Sequence, residues 1–331
     1  MPDVSLLLLV VLLTVLAAEF VNGWTDAPNA IATVVSTRVL SPRTAVAMAA
    51  VLNIVGALVT GTAVAATIGK GIVQPEVINL AVVAAAMLSI VIWSTVAWRY
   101  GLPTSESHAL IAGLTGAGMA AAGPSALLGS GWLKVLIGLG FSTFLGFVLS
   151  LIVMTSLYWL FRRSRPATVR GIFSKLQILS ASFMAFSHGS NDGQKFMGAF
   201  ALAMVLGGAI AQFQVQWWVI LLCGTVMGLG TAFGGWRIMR TMGFKLTKLE
   251  PVNGFAAESS AGLAITLASF FGIPLSTTHT INTSIMGVGA TRRLSAVRWG
   301  VARSIVFAWV LTFPICALLA AGLFKLLDLF I

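Results

Sequence analysis

Apolar runs long enough to cross a lipid bilayer recur from one end of this chain to the other, and that recurrence restricts the fold more than any single motif. They lie near residues 4–35, 45–68, 77–98, 104–123, 131–161, 176–207, 216–236, 255–271, 274–289 and 300–325, joined by short loops without low-complexity tracts. Only 9% of the 331 residues are charged and 58% are apolar, which leaves too little polar surface to cover a soluble globule. The expected class is an all-α polytopic membrane protein of about 10–12 membrane segments, with the lipid bilayer as its solvent. The first run follows Met-Pro-Asp, with no Lys or Arg before it, and reads as a retained span rather than a signal peptide. Cys223 and Cys316 each stand alone in an apolar run, so neither a disulfide framework nor a metal motif is expected, and no resident cofactor is called for.

A net charge of +11 points to topology rather than to nucleic acid, because the basic residues fall in loops of one parity. With the N-terminus outside, the inner loops hold Arg38 and Arg43; Arg162, Arg163, Arg165, Arg170 and Lys175; Arg237, Arg240, Lys245 and Lys248; and Arg292, Arg293, Arg298 and Arg303. Those are fifteen of the 20 Lys and Arg, and the outer positions keep only Lys70, Lys134 and Lys325. The positive-inside rule then predicts a multi-pass protein of the cell membrane with both termini on the outer side.

The ten runs form two sets of five, and because five is odd, similarity between the sets implies inverted topology. That similarity is present. Asn22-Gly23-Trp24-Thr25-Asp26-Ala27-Pro28-Asn29-Ala30 interrupts the first run, and His188-Gly189-Ser190-Asn191-Asp192-Gly193-Gln194-Lys195 interrupts the sixth. Gly101-Leu102-Pro103-Thr104-Ser105-Glu106-Ser107-His108 returns as Gly272-Ile273-Pro274-Leu275-Ser276-Thr277-Thr278-His279. The expected organisation is a first inverted repeat at 1–161, a basic cytoplasmic inter-repeat loop at 162–175 and a second repeat at 176–331.

The motifs carry their own physics. A continuous helix over 4–35 would measure roughly 48 Å against a hydrocarbon core of about 30 Å, so a break is expected between Gly23 and Pro28, lining a transport path. Segments 77–123 and 255–289 each pair two runs through a Gly-x-Pro tip, which suits either two crossings or a helical hairpin. In each tip a Pro precedes hydroxyl residues that open a helix: Thr104, Ser105 and Ser107, then Ser276, Thr277 and Thr278. Two helix N-termini facing each other would cradle an oxyanion.

An Asp at the bilayer centre costs about 2.5–3.5 kcal/mol, so Asp26 and Asp192 need a reason to be there. Lys195 stands one helical turn from Asp192 and offers it a local ion pair; Asp26 has no such neighbour in sequence. The functional reading is that both carboxylates, with Asn29, Asn191 and nearby hydroxyls, bind coupling cations. Na⁺ suits such oxygen ligands, and a carboxylate equally carries a proton. An anion beside two carboxylates needs that neutralisation, which gives a physical reason for symport. His108 and His279 are expected as buried, hydrogen-bonded imidazoles. His188 and Glu258 are the candidates for a proton relay, with Glu19 and Glu106 behind them.

At these residues the chain resembles the inorganic phosphate transporter (PiT) family: in the two Asp motifs, in Asn253-Gly254-Phe255-Ala256-Ala257-Glu258, and in the two Gly-x-Pro-x-Ser-x-x-His tips. The resemblance covers nearly the whole chain. It implies import of inorganic phosphate by symport with Na⁺ or H⁺, alternating access around a midplane site, and an inverted-repeat fold with broken helices and hairpins. Phosphate is then expected at Thr104, Ser105, Ser107, Ser276, Thr277 and Thr278 with Asn29, Gln194 and Lys195. The coupling cation, Na⁺ included, is expected at Asp26 and Asp192 with Asn22, Thr25 and Asn191. A homodimer is allowed and not required. Thr25, where the family's motif has Asn, and Pro28, where it has a small residue, depart from the pattern beside the cation site. A sulfate permease on the same fold is the alternative reading. A membrane enzyme lacks a nucleophile or HExxH motif, and a receptor would leave two Asp-bearing interruptions unexplained.

Overall fold

The computed structural model describes residues 5–329; Val4, where the first run was expected to begin, and both chain ends lie outside them. Twelve α-helices follow one another: α1 (Leu6–Ser36), α2 (Pro42–Val59), α3 (Ala63–Gly71), α4 (Leu80–Tyr100), α5 (Glu106–Ala122), α6 (Gly129–Leu160), α7 (Pro166–Leu206), α8 (Trp217–Ala232), α9 (Trp236–Arg240), α10 (Pro251–Phe270), α11 (Thr277–Ala290) and α12 (Trp299–Leu327). Five of them, α1, α2, α4, α6 and α12, are individually long and apolar enough to cross a membrane. A sixth span forms if α8 counts with its continuation through α9, across a 60° bend. The 41-residue α7 carries a polar motif within its length.

Local signals set the helix starts. Ser5, Ser41 and Asn79 cap α1, α2 and α4 by accepting from the backbone N–H three residues on, and Pro42 occupies the first turn of α2. The two Gly-x-Pro tips are built alike. Gly101 (φ 68°) and Gly272 (φ 64°) reverse the chain in the left-handed region, where a Cβ would be strained. Ser105 and Ser276 then cap α5 and α11 by accepting from the N–H of His108 and His279. At 17 and 14 residues, α5 and α11 reach only about 26 and 21 Å, short of a full crossing. Their tips touch: the Ser105 and Ser276 hydroxyls are 2.8 Å apart, and the Ser107 hydroxyl donates to the Leu275 carbonyl at 3.1 Å. The segments are therefore hairpins meeting inside the bundle.

Two expectations are corrected. α1 and α7 run unbroken through their polar motifs. Pro28 removes the backbone bond to the Trp24 carbonyl, yet the helix continues, and Gly235 packs closely against that point. A Cβ there would lie 2.7 Å from both the Trp24 oxygen and Pro28 Cδ. At 31 residues α1 measures about 46 Å, so it crosses with tilt or projects beyond the hydrocarbon instead of breaking. The inter-repeat loop is also shorter than 162–175, since Pro166 opens α7 and the residues to 175 are its first turns.

The core consists of two apolar clusters. One takes Leu8, Val11, Val15 and Ala18 of α1 with Phe196, Met197 and Phe200 of α7; the other takes Ala30, Ile31 and Val34 of α1 with Ala181, Met184 and Ala185 of α7. Between them both helices carry only small or polar buried residues. Backbone contact fixes the crossings there. In α1 against α8, a Cβ on Gly23 would lie 2.2 Å from the Met227 oxygen, and one on Gly230 2.2 Å from the Phe20 oxygen. In α2 against α7, a Cβ on Gly189 would lie 2.1 Å from the Asn53 oxygen, and one on Gly56 2.1 Å from the Phe186 oxygen. The two crossings correspond residue by residue, 166 positions apart for Phe20/Phe186 and Gly23/Gly189 and 174 apart for Asn53/Met227 and Gly56/Gly230.

Gly23→Val and Gly189→Val should each destabilise the bundle by about 1–3 kcal/mol or prevent folding. Gly140→Ala, which meets nothing within 4 Å, should be neutral. Thermal unfolding and size-exclusion profiles in detergent check both expectations.

Candidate functional site

The layer between the two apolar clusters is where α1, α7 and the two hairpin tips converge. Caps and dipole ends come first: α5 and α11 open at the meeting point, and the first N–H groups of a helix have no intrahelical acceptor. α12 braces the tips from behind, with Trp309 Nε1 donating to the Pro103 carbonyl at 3.0 Å. His108 and His279 meet edge to face at 4.4 Å, His279 stacked 3.6 Å from Trp309 and His108 4.6 Å from Phe313. Neither ring nitrogen of His279 has a hydrogen-bond partner among the described residues. The two imidazoles support the tips by stacking rather than by the hydrogen bonds the sequence led us to expect.

Asp192 and Lys195 form a buried ion pair one helical turn apart on α7. The other Asp192 oxygen accepts from the Thr277 hydroxyl at 2.8 Å and lies 3.2 Å from His188 Nε2. His188 is held in turn by Asn53, whose carbonyl oxygen is 3.3 Å from Nδ1 and whose amide donates to Thr231 at 2.9 Å. Besides Asp192, the Lys195 ammonium donates to the Ser107 hydroxyl at 2.5 Å and to the Leu275 carbonyl at 2.9 Å. An ammonium has three N–H donors, so all of them are used. Expected on phosphate, Lys195 is instead committed to protein oxygens in this arrangement.

Asp26 is placed differently. Its carboxylate accepts from the Thr278 hydroxyl at 3.1 and 3.2 Å and has no Lys or Arg partner among the described residues. The Asn29 amide donates to Thr278 at 3.0 Å and to Thr277 at 3.4 Å, while its carbonyl oxygen is buried without a partner among the described residues. Ligand atoms of Asp26, His188 and Asp192 all lie within 4.8 Å of one another. Two buried carboxylates at that separation, with one ammonium between them, leave the cluster short of positive charge. Glu106 accepts from the Thr25 hydroxyl at 2.6 Å and is within hydrogen-bonding reach of Asp26, a contact two carboxyl groups make only with a proton between them.

The structure thus brings together Asp26, Asn29, Ser105, Ser107, His188, Asp192, Lys195, Ser276, Thr277 and Thr278. Thr104 is buried at the same tip with a free hydroxyl. Other candidates point away. The Gln194 carbonyl accepts from the Val64 N–H at 2.9 Å, capping α3, and its amide donates to Ser190, so it is turned from the tips. Asn191 donates to Ser269 at 2.9 Å and to the Ile273 carbonyl at 3.5 Å, at the base of the second tip, and Asn22 donates to Glu19 at 3.1 Å. Helical periodicity accounts for Asn191 and Gln194, one and two positions from Asp192, which leave α7 on other faces; Asn22, one turn before Asp26 and on its face, is taken by Glu19 of the preceding turn.

Glu258 lies apart from the Asp cluster. It accepts from Thr33 at 2.5 Å, from the Gln177 amide at 3.0 Å and, closely, from Ser180. Thr37 donates to the Gln177 carbonyl at 2.8 Å and lines a cavity of about 770 Å³ with Arg38, Arg170, Lys248, Glu250 and Arg298. Asp26, Asn29, Thr33 and Thr37 recur at three- and four-residue intervals on α1, a polar seam from the Asp cluster to that basic cavity. Sequence reasoning passes over Thr33, Asn53, Gln177 and Ser180; the signal for them is an isolated polar side chain in an apolar run.

Removing either tip cap, by Ser105→Ala or Ser276→Ala, should cost about 0.5–2 kcal/mol. Because the two hydroxyls bond each other, the double variant should deviate from additivity by about 0.5–1.5 kcal/mol, which a thermal-unfolding double-mutant cycle measures.

Comparison with known proteins agrees with this architecture. Residues 22–320 match the Phosphate transporter family. A protein of Rhizobium meliloti (strain 1021) named "Probable low-affinity inorganic phosphate transporter" is 46% identical, over 94% of this chain and 93% of its own length. A protein of the same name from Bacillus subtilis (strain 168) is 41% identical, over 99% of each chain. The solved structure described as "The sodium-dependent phosphate transporter" superposes with a TM-score of 0.92 at 25% identity, covering 99% of this chain and all of that one. With relatives named as transporters, the enzyme reading falls away. The match runs through both Asp motifs and both hairpin tips, and this multi-pass membrane protein belongs to the phosphate transporter family.

Proposed function

We propose that this protein imports inorganic phosphate by symport with a cation, using alternating access around the layer where the two Asp helices meet the two hairpin tips. The observation that carries the reading is the charge imbalance of that layer. Asp26 and Asp192 stand within reach of a single bound ion, but only Asp192 has a cationic side chain of its own. A cation or proton at Asp26 removes the repulsion that would otherwise exclude an anion, so each solute improves the site for the other. Phosphate then docks on the helix N-termini and hydroxyls of the tips, at Thr104, Ser105, Ser107, Ser276, Thr277 and Thr278, with Asn29 beside them. Na⁺ is favoured as the coupling ion by the oxygen donors around Asp26 and by the name of the structural neighbour; H⁺ is the other arm of the test.

The two hairpins and the two corresponding glycine crossings support an inverted repeat, with one tip entering from each face. Loop charge supports outer termini, which puts the basic cavity of Arg38, Arg170, Lys248 and Arg298 at the inner mouth. Phosphate leaves along the α1 seam past Thr33 and Thr37, and Glu258 gates that half of the path, with His188 serving the Asp192 side as the other relay group. Na⁺ or H⁺ is cargo here, and no resident cofactor is needed.

Labelled-phosphate uptake into proteoliposomes, with Na⁺ and pH gradients imposed separately, tests the reading. One gradient should drive uptake, and Asp26→Asn should lower it at least ~10-fold. Uptake competed by sulfate better than by phosphate would move the substrate to sulfate and keep the fold. Glu258→Gln should slow uptake at least ~10-fold while changing phosphate binding to the purified protein by less than about twofold, separating a gate from a binding group.

A further inference from the structure

The polar layer contains one cation that belongs to the chain. Lys195 is buried, and its ammonium takes three oxygens of different kinds: the Asp192 carboxylate, the Ser107 hydroxyl at 2.5 Å and the Leu275 carbonyl at 2.9 Å. Carboxylate, hydroxyl and backbone carbonyl are the donors a hard metal cation takes, here drawn from α7 and from both hairpins.

The internal correspondence locates the equivalent position in the other half. Phe20 answers to Phe186, Gly23 to Gly189 and Asp26 to Asp192, each 166 residues on, and the same spacing sets Lys195 against Asn29. Asn29 is neutral. Its amide donates to Thr277 and Thr278, and its carbonyl oxygen is wholly buried, with no partner among the described residues, beside a carboxylate that none of their cationic side chains pairs. One half therefore has a carboxylate with a cation attached to the chain, and the other has a carboxylate with a free oxygen next to it.

We infer that Lys195 is a tethered replacement for a coupling cation: its ammonium fills the cation position at Asp192, so that only the equivalent position at Asp26 takes a mobile cation. The inference rests on the symport reading and deepens it to the number of cations carried. A tethered ammonium neutralises Asp192 without being released, so it contributes to the charge balance of the layer but not to the charge moved with phosphate. It also holds Ser107 and Leu275 to α7, a join a mobile ion would make only when bound.

The test counts bound ions. Radiolabelled Na⁺ binding to the purified full chain is measured for wild type, for Lys195→Asn, which copies the other half, and for Asp192→Asn/Lys195→Asn. Lys195→Gln serves as the second variant if the Asn substitution fails to fold. Removing the ammonium should let one additional Na⁺ bind per chain relative to wild type, and removing Asp192 as well should abolish that gain. The inference is overturned if the folded Lys195 variant binds no more Na⁺ than wild type, or if the gain survives loss of Asp192. Failure of the symport reading is separately visible as wild-type phosphate uptake that neither a Na⁺ nor a pH gradient drives.

Discussion

Two carboxylates within reach of one bound ion, enclosed in an apolar helical bundle, impose the constraint to which the rest of this structure answers. Unpaired, a buried carboxylate costs several kcal/mol. Asp192 meets that cost with Lys195, His188 and Thr277; Asp26 meets it only in part, with the Thr278 hydroxyl and the Glu106 carboxyl and with no cationic side chain among the described residues. That residual imbalance is the ground for proposing a mobile cation, and with it an anion, in the layer. Placing the two Asp on separate helices and the hydroxyls on separate hairpins ties this local charge problem to the relative position of four elements.

The packing serves that position. Glycines at the α1/α8 and α2/α7 crossings bring backbone against backbone at the level of the Asp motifs, where no large side chain spaces the helices. In lipid there is no hydrophobic drive between helices, so close approach and interhelical hydrogen bonds carry the association. The hairpin tips bring in a different element, helix ends whose N–H groups await an acceptor. Ser105 and Ser276 both cap their helices and bond each other, so the caps that start α5 and α11 also join the two hairpins.

The polar network is asymmetric about the Asp cluster. On one side α1 continues as Asn29, Thr33 and Thr37 toward Glu258, Gln177 and a cavity rich in Arg and Lys; on the other it continues through Asn22 and Glu19 and then ends in the apolar cluster of Val15, Val11 and Leu8. If the proposed alternating access holds, a single arrangement is expected to be unequal in this way, with water and charge reaching the site along one path at a time.

Much of this was legible in the residues themselves. Apolar runs of bilayer length located nearly every helix, because in lipid each backbone group must be satisfied within its own helix, and length and hydropathy then fix the boundaries. The duplicated Asp motifs and Gly-x-Pro tips identified the family and most of the side chains in the layer, since intramembrane polar residues have few reasons to be there. What only the tertiary structure decided was where those side chains are aimed. Gln194 caps α3, Asn191 reaches Ser269 and the Ile273 carbonyl, Asn22 turns to Glu19, Lys195 is saturated by protein oxygens, and α1 and α7 stay whole across motifs that in isolation should break them. For Gln194, Asn191 and Lys195 the physical reason is shared. Whether a buried polar group serves a ligand, a cap or an ion pair depends on which donors and acceptors surround it, and those arrive from helices and hairpins distant in the chain, whose approach no local pattern encodes.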